Sequence, residues 1–341
     1  MATSQPKAPA RKLRWFQYSL RSLMILVLLV SLGMSWVAVR MKRTREQDEA
    51  VAEITKLGGW VQYDYQVEKP GIRPGAVPPG PAWIRKLLGA NFFAVVVEVH
   101  FAPSSVTDRD LEHLKGLTQL QWLDLEGTNV TDAGMEHLKG LTRLQMLCLI
   151  GTQVSDAGLE HLKGLARLQT LELDGPVVTD AGLEHLKGLT QLQDLDVYGA
   201  NVTDAGLENL KGLTQLKMLS IHNTQVTDAG LRHLRGMTKL QTLSLSCTRV
   251  SDAGLEHLKG LTQLRSLCLF DTSVTDAGLV ALKGLAKLET LYLGDTAVTD
   301  AGLEHLKELT QLQTLGLDHT QVTDEGEERL RQALPTCSIG R

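Results

Sequence analysis

Aromatic residues are scarce: Phe, Trp and Tyr make up 4% of the 341 residues, while leucine supplies most of the apolar mass. Any core must therefore be aliphatic, unlike the interior of most globular enzymes. A length of this order allows one or two ordinary domains. A basic excess is also lacking. The chain carries 35 Lys and Arg against 39 Asp and Glu, a net charge of -4, which argues against a nucleic-acid partner. The four cysteines, Cys148, Cys247, Cys268 and Cys337, are widely scattered, Cys247 and Cys268 being the nearest two. No CxxC pair occurs among them, which excludes a zinc-ligand pattern and a dense disulfide framework and leaves the redox compartment open. There is no glycine-rich phosphate loop after a strand, no GxSxG and no HExxH.

What the chain does have begins with an uncharged run. Ser22 to Val39 reads SLMILVLLVSLGMSWVAV, without a single charge. As a helix it would span about 27 Å, close to the bilayer core of about 30 Å. Arg21 and Arg40 close its ends, and Trp36 falls where indoles favour the membrane interface. The run is long for a secretory signal, and no small-x-small cleavage site precedes Arg40, so it is expected to stay as an anchor. Topology is nearly balanced. Lys7, Arg11, Lys12, Arg14 and Arg21 precede the run, and Arg40, Lys42, Arg43, Arg45 and Lys56 follow it. The free amine favours a cytoplasmic basic tail over residues 1–21, with the bulk of the chain on the non-cytoplasmic side.

The second feature is a repeat. V-[TS]-D recurs at Val106, Val130, Val154, Val178, Val202, Val226, Val250, Val274, Val298 and Val322, every step equal and none carrying an insertion. A typical unit, LQWLDLEGTNVTDAGMEHLKGLTR from Leu120, predicts a strand carrying Leu123 and Leu125 on one face. Met135, Leu138 and Leu141, three apart, then line one side of a short helix. Asp132 or Thr131 can cap that helix, and Gly140 suits a left-handed residue that ends it. A single unit cannot bury its leucines, but a stack can.

On Leu120, Leu123, Leu125, Thr128 and Val130 the unit resembles the leucine-rich-repeat family, whose pattern is LxxLxLxxNxL. The resemblance covers about Val96 to the end. It implies an α/β solenoid, a horseshoe with a parallel concave sheet and short convex helices, here preceded by one transmembrane helix. Threonine stands where the family has asparagine: Thr128, Thr152, Thr224, Thr248, Thr272, Thr296 and Thr320, with Ser104, Pro176 and Ala200 as exceptions. In the family the asparagine bonds the backbone of adjacent turns, and a hydroxyl would do a similar job with fewer bonds. The end units are atypical, as caps should be. Val96, Val99, Phe101 and Val106 form a degenerate first unit. Glu327, Glu328 and Arg329 make the last helix more polar, and Ile339 falls on a strand-core position.

Residues 40–95 join anchor to repeats and read as a helix over Glu46–Leu57, stopped by Gly58-Gly59, then a strand over Trp60–Val67. A stiff loop carrying Pro70, Pro74, Pro78, Pro79 and Pro81 follows, and a short helix over Trp83–Leu88. The aromatic strand is expected to cap the open end of the solenoid. This order of anchor, charged helix, GGWVQYDY, proline loop, PAWIRKLLG and TDAGL repeats resembles membrane-anchored repeat proteins of planctomycete bacteria. Repeats 96–341 also share a style with F-box recognition repeats, but no F-box segment accompanies them.

Chemistry is sparse. His113, His137, His161, His185, His233, His257 and His305 are spaced by the repeat itself and form a comb on the convex side, which the motif explains without a metal. On the strands, the residues alternating with the core leucines should face solvent, and equivalent positions should align in rows about 4.8 Å apart. Those 30 positions hold eight acids, Glu98, Asp124, Glu126, Glu172, Asp174, Asp194, Asp196 and Asp318, and no lysine or arginine. A negative potential focused by curvature follows. Glu172, Asp174, Asp194 and Asp196 cluster on two strands beside Trp122, Met146, Ile150, Tyr198 and Met218, apolar anchors beside charges. With Asp124 and Glu126, these acids, Trp122, Met146, Tyr198 and Met218 form the candidate partner-binding site. Glu172 and Asp196, side by side, would also suit a calcium ion, but flat strands seldom supply enough oxygens. His222 beside Ser246 is the one base–nucleophile pair, and it lacks an orienting acid in that register. The expected function is membrane-anchored binding of a protein or peptide with a basic segment, without cofactor, metal or nucleic acid. A self-associating structural envelope protein is the alternative, and an enzyme is disfavoured.

Overall fold

The computed structural model describes residues 20–67, 76–103 and 106–341. Residues 1–19 of the basic tail, Pro70, Pro74 and Ser104 lie outside the described residues. The apolar run and the charged segment after it form one helix, α1 (Leu20–Lys56), rather than two. No proline or glycine pair falls between Val39 and Lys56 to break it, and Gly58 ends it at φ 80°.

Twelve strands form one sheet in chain order. They are β1 (Trp60–Tyr63), then after a short helix α2 (Ala82–Leu88), β2 (Val96–His100), β3 (Trp122–Asp124), β4 (Met146–Cys148), β5 (Thr170–Asp174) and β6 (Asp194–Tyr198), continuing as β7 (Met218–Ser220), β8 (Thr242–Ser244), β9 (Ser266–Cys268), β10 (Thr290–Tyr292), β11 (Thr314–Gly316) and β12 (Ser338–Gly340). From β2 onward every pair is parallel, with partners one repeat apart, such as Leu123↔Leu147 and Leu171↔Leu195. The aromatic strand β1 departs from this. It pairs antiparallel with β2, Val61 opposite Val99, and covers backbone groups of the first parallel strand. It stops at Tyr63, short of Val67, because the chain turns there: Gln66 N–H donates to Tyr63 O, and the Gln66 side chain accepts from Tyr63 N–H. Ala50 and Ile54 of α1, 2% and 1% exposed, enter the leucine core at the same end. The other end is closed by the helix Asp324–Ala333 and by Ile339, which pairs with Leu315.

Opposite the sheet, each coil carries one α-turn followed in most units by 3-10 helix, for example Asp132–Met135 then Glu136–Leu138. The leucine spacing of three matches the 3-10 repeat of about three residues per turn better than an α-helix. Met135, Leu138 and Leu141 are fully buried. The residue that needs a left-handed backbone is not Gly140. It is the turn position after each strand: Gly127, Gly151, Gly175 and Gly199 have positive φ, and Asn223, Cys247, Asp271, Asp295 and His319 take the same conformation in later units.

The threonine substituting for the family asparagine does not bridge coils. Thr128 Oγ1 donates to Leu125 O at 2.7 Å, within its own turn, and Thr152 does the same to Leu149 O. The coils are tied instead by the aspartate of V-[TS]-D. Asp132 accepts from the backbone N–H of Ser155 at 2.7 Å, from its hydroxyl at 2.6 Å, and from Gly158 N–H at 2.9 Å. Asp108, Asp156, Asp180, Asp204, Asp228, Asp252, Asp276 and Asp300 accept from both groups of the next Thr or Ser. The capping role follows: Thr131 caps its helix through Ala133 N–H, and Asp132 serves the neighbouring coil. The glycine of each DAG has the same origin, since a Cβ on Gly158 would lie 2.5 Å from Asp132 Oδ1.

Candidate functional site

Because the leucines turn inward, alternate strand residues face outward. In β5 the order is half-buried Thr170, buried Leu171, half-buried Glu172, buried Leu173, half-buried Asp174. The pairing register aligns these outward positions. Trp122, Met146, Thr170, Asp194 and Met218 form one row. Asp124, Cys148, Glu172, Asp196 and Ser220 form the next. Asp174 lies beside Tyr198 in a third. Glu126 is exposed at the turn after β3.

These residues are not equally available. Trp122 and Tyr198 are 40% and 46% exposed, but Met146, flanked by Trp122, is only 9% exposed and offers little surface. Met218 is half-buried. Asp174 Oδ1 accepts from Gly151 N–H at 2.7 Å and so also holds a turn. Asp194 Oδ2 accepts from the Thr170 hydroxyl at 3.3 Å. Asp124 accepts from Glu126 N–H at 3.0 Å and from His100 Nδ1 at 3.2 Å. Glu172 and Asp196 stand side by side, and Asp196 Oδ1 is a buried oxygen with no hydrogen-bond partner. A buried carboxylate oxygen without a hydrogen-bond donor is costly, and the nearest cationic group is the His222 imidazole when protonated, its Nε2 at 3.9 Å.

Two further aromatic residues of the 30 positions lie outside the candidate partner-binding set. Phe270, in the turn after β9, and Tyr292 on β10 are 37% and 42% exposed, and the row alignment places both on this face. At the β1 end, Trp60 stacks on His100 at 3.8 Å. There, burial pushes the Glu98 carboxyl above its usual range, opposed by His100.

His222 does have an acid nearby: Asp196 Oδ1 lies 3.9 Å from its Nε2, diagonally across the register. The ring stacks on Tyr198 at 4.3 Å. The Ser246 hydroxyl instead donates to Cys268 Sγ at 2.9 Å, so no Ser–His pair is assembled for attack. Glu172 and Asp196 supply only two carboxylates. Among the described residues, the set of three whose ligand atoms fall within 4.8 Å of one another is Asp124, Glu126 and Cys148. Burial, then the Glu172 and Asp124 carboxylates, push the Cys148 thiol strongly upward, which opposes the thiolate a soft metal requires. The histidine comb lies on the 3-10 segments, away from the sheet face, as in Glu136–Leu138 and Glu160–Gly164.

Residues 93–333 match the family described as leucine-rich repeat region. No curated protein matches the sequence. Among solved structures, the chain is similar to an internalin, InlF, from Listeria monocytogenes, at 21% identity and TM-score 0.44, covering 75% of this chain and 92% of that one. Internalin C2 from the same organism is 25% identical with TM-score 0.44, covering 69% and 84%. The plant peptide hormone receptor RGFR1, in complex with RGF2, is 15% identical with TM-score 0.43, covering 67% of this chain and 40% of the receptor.

Proposed function

The chain belongs to the leucine-rich-repeat family, and from that premise we propose that it is a membrane-anchored binding module whose acidic sheet face captures a basic segment of a protein or peptide. The carrying observation is the sorting of charge. Eight carboxylates and no lysine or arginine occupy the 30 positions that alternate with the core leucines along and just after the strands, in a chain that is otherwise nearly balanced. Exposed Trp122 and Tyr198 flank the densest part of that field. Anchoring rests on α1, whose Leu23 to Val39 stretch leaves most of its large apolar side chains at least half exposed, from Leu23 at 51% to Met34 at 69%. Such a surface needs a lipid environment or a partner. With five Lys and Arg on each flank, the free amine tips the orientation towards the basic tail in the cytoplasm and the repeats outside it.

The domain reading that accompanies this is a tail over 1–21, a membrane helix over 22–39, a joining cap over 40–95 and the recognition solenoid over 96–341. The test is capture from native membranes by the wild-type chain and by a variant carrying Glu172→Gln, Asp174→Asn, Asp194→Asn and Asp196→Asn. These changes keep most hydrogen-bond acceptors and remove four charges. Capture should be lost in the variant and weakened by salt in the wild type. Equal capture by both rejects the acidic face, and concentration-dependent oligomers without any captured partner would favour a self-associating envelope protein.

A further inference from the structure

Where α1 leaves its apolar run, it docks on the first coil. Arg40 Nε donates to Phe92 O at 2.7 Å, and its Nη2 donates to Ala94 O at 3.2 Å. Gln47 accepts from Val96 N–H at 3.0 Å. Between helix and coil lies a cavity of about 340 Å³, within the size range of small-ligand sites, roughly 300–1,000 Å³. Arg40, Arg43 and Arg143 line it, together with Thr118 and Gln119, and no acid does.

That lack of acids is unusual for this molecule. Lys42, one residue before Arg43, pairs with Glu46 at 3.7 Å. On the coils, Lys115 pairs with Glu112 at 3.4 Å and Lys163 with Glu160 at 3.2 Å. Arg43 and Arg143 have no carboxylate partner among the described residues, and Arg40 Nη1 remains unused beside its two carbonyl bonds. Three arginines from sequence positions 40, 43 and 143 therefore line one cavity that has no carboxylate among its lining residues.

Their depth matters as well. At about 1.5 Å rise per residue, Arg43 lies about 6 Å beyond Val39. The headgroup layer on each side of the hydrocarbon is about 5–8 Å thick. Arg40 and Arg43 thus fall at the level of lipid phosphates, and guanidinium forks match phosphate oxygens in pairs.

We infer that this cavity binds the phosphate of an anionic membrane lipid, gripped by Arg40, Arg43 and Arg143 where the anchor meets the solenoid. A zwitterionic choline headgroup would bring an ammonium into a site already carrying three positive charges, so the anionic lipid is preferred. The inference rests on the reading of α1 as a membrane anchor and is independent of the acidic face.

The test reconstitutes the full chain in nanodiscs of phosphatidylcholine, with and without phosphatidylglycerol, and measures by mass spectrometry the lipid retained after detergent exchange. Insertion of the wild type into phosphatidylcholine discs reports the anchor alone, and failure to insert overturns anchor and inference together. With insertion achieved, the wild type should retain phosphatidylglycerol preferentially, and Arg43→Gln with Arg143→Gln should reduce that retention about tenfold or more. Lys42→Gln removes a like charge from the same turn outside the cavity and should leave retention intact. Circular dichroism confirms that each variant is folded. Retention unchanged in the double variant, or lowered equally by Lys42→Gln, overturns the inference. Displacement of the lipid by equimolar inorganic phosphate would assign the cavity to a free phosphate and also overturn the lipid assignment.

Discussion

Removing one carboxylate from the inter-coil ladder should unseat two coils at once. Asp132 receives three donors, Ser155 N–H, Ser155 hydroxyl and Gly158 N–H, at 2.6–2.9 Å. Hydrogen bonds to a charged group contribute about 1.5–3 kcal/mol each in buried settings. The aspartate is half-buried here, so the three together are worth less than their sum. We expect Asp132→Ala to cost about 3 kcal/mol, much of it from leaving the Ser155 N–H unsatisfied, while Gly158 N–H keeps its bond to Ser155 O at 3.0 Å. Asp132→Asn keeps one carbonyl acceptor and should cost about half as much. Gly158→Ala alone should also destabilise, because the new Cβ meets Asp132 Oδ1 at 2.5 Å and Val154 Cγ1 at 2.7 Å. Once Asp132 is alanine the first of these clashes disappears, so the double variant should be less damaged than the summed singles by about 1 kcal/mol or more. Urea unfolding of the detergent-solubilised chain, followed by circular dichroism, reads each term. A loss below about 1 kcal/mol for Asp132→Ala, or strict additivity with Gly158→Ala, would refute the ladder as the element holding the stack.

Three further outcomes follow from the same geometry. Cys247 holds φ 54° where earlier coils have glycine, so Cys247→Gly should stabilise by about 1 kcal/mol, seen as a higher urea midpoint; a lower midpoint contradicts the strain. Ile54 is 1% exposed where α1 closes the leucine core, so Ile54→Ala should cost about 2–4 kcal/mol and speed proteolysis at the N-terminal coils; an unchanged digestion rate would remove α1 as a cap. Hydrogen bonds from the Thr323 backbone and hydroxyl hold the Asp300 carboxyl below its usual range. Its stabilisation is complete above the unfolded carboxyl value and vanishes as pH falls through the lower folded value. Amide-exchange protection at Thr323 should therefore fall on acidification into that window, and Asp300→Asn should abolish the pH dependence.

The repeat makes most of this architecture legible. An unbroken, constant period dictates the parallel register, so Glu172 beside Asp196 follows from counting alone. What counting does not reveal is contact between different positions of neighbouring coils. Asp132 looks like a helix cap because its partner, Ser155, belongs to the next coil rather than to its own turn. His222 looks acid-free because Asp196 approaches it diagonally. Met146 reads as an outward anchor from its alternation, yet the bulk beside it leaves it 9% exposed. Gly140 reads as a helix terminator, but 3-10 geometry ends that segment without a left-handed residue, and positive φ moves to the turn after the strand. The continuity of α1 is hidden because hydropathy changes abruptly at Arg40 although nothing there interrupts backbone hydrogen bonding.

The measurement that bears most directly on the proposed function is site-specific photocrosslinking in native membranes. A photoreactive residue at position 198, in place of exposed Tyr198 on the acidic sheet face, should crosslink a partner, and raised salt should suppress it. The same residue at Lys187, which pairs with Glu184 on the helical side, should give no adduct. Adducts at position 187 with none at 198 would place the partner on the helices and contradict the account.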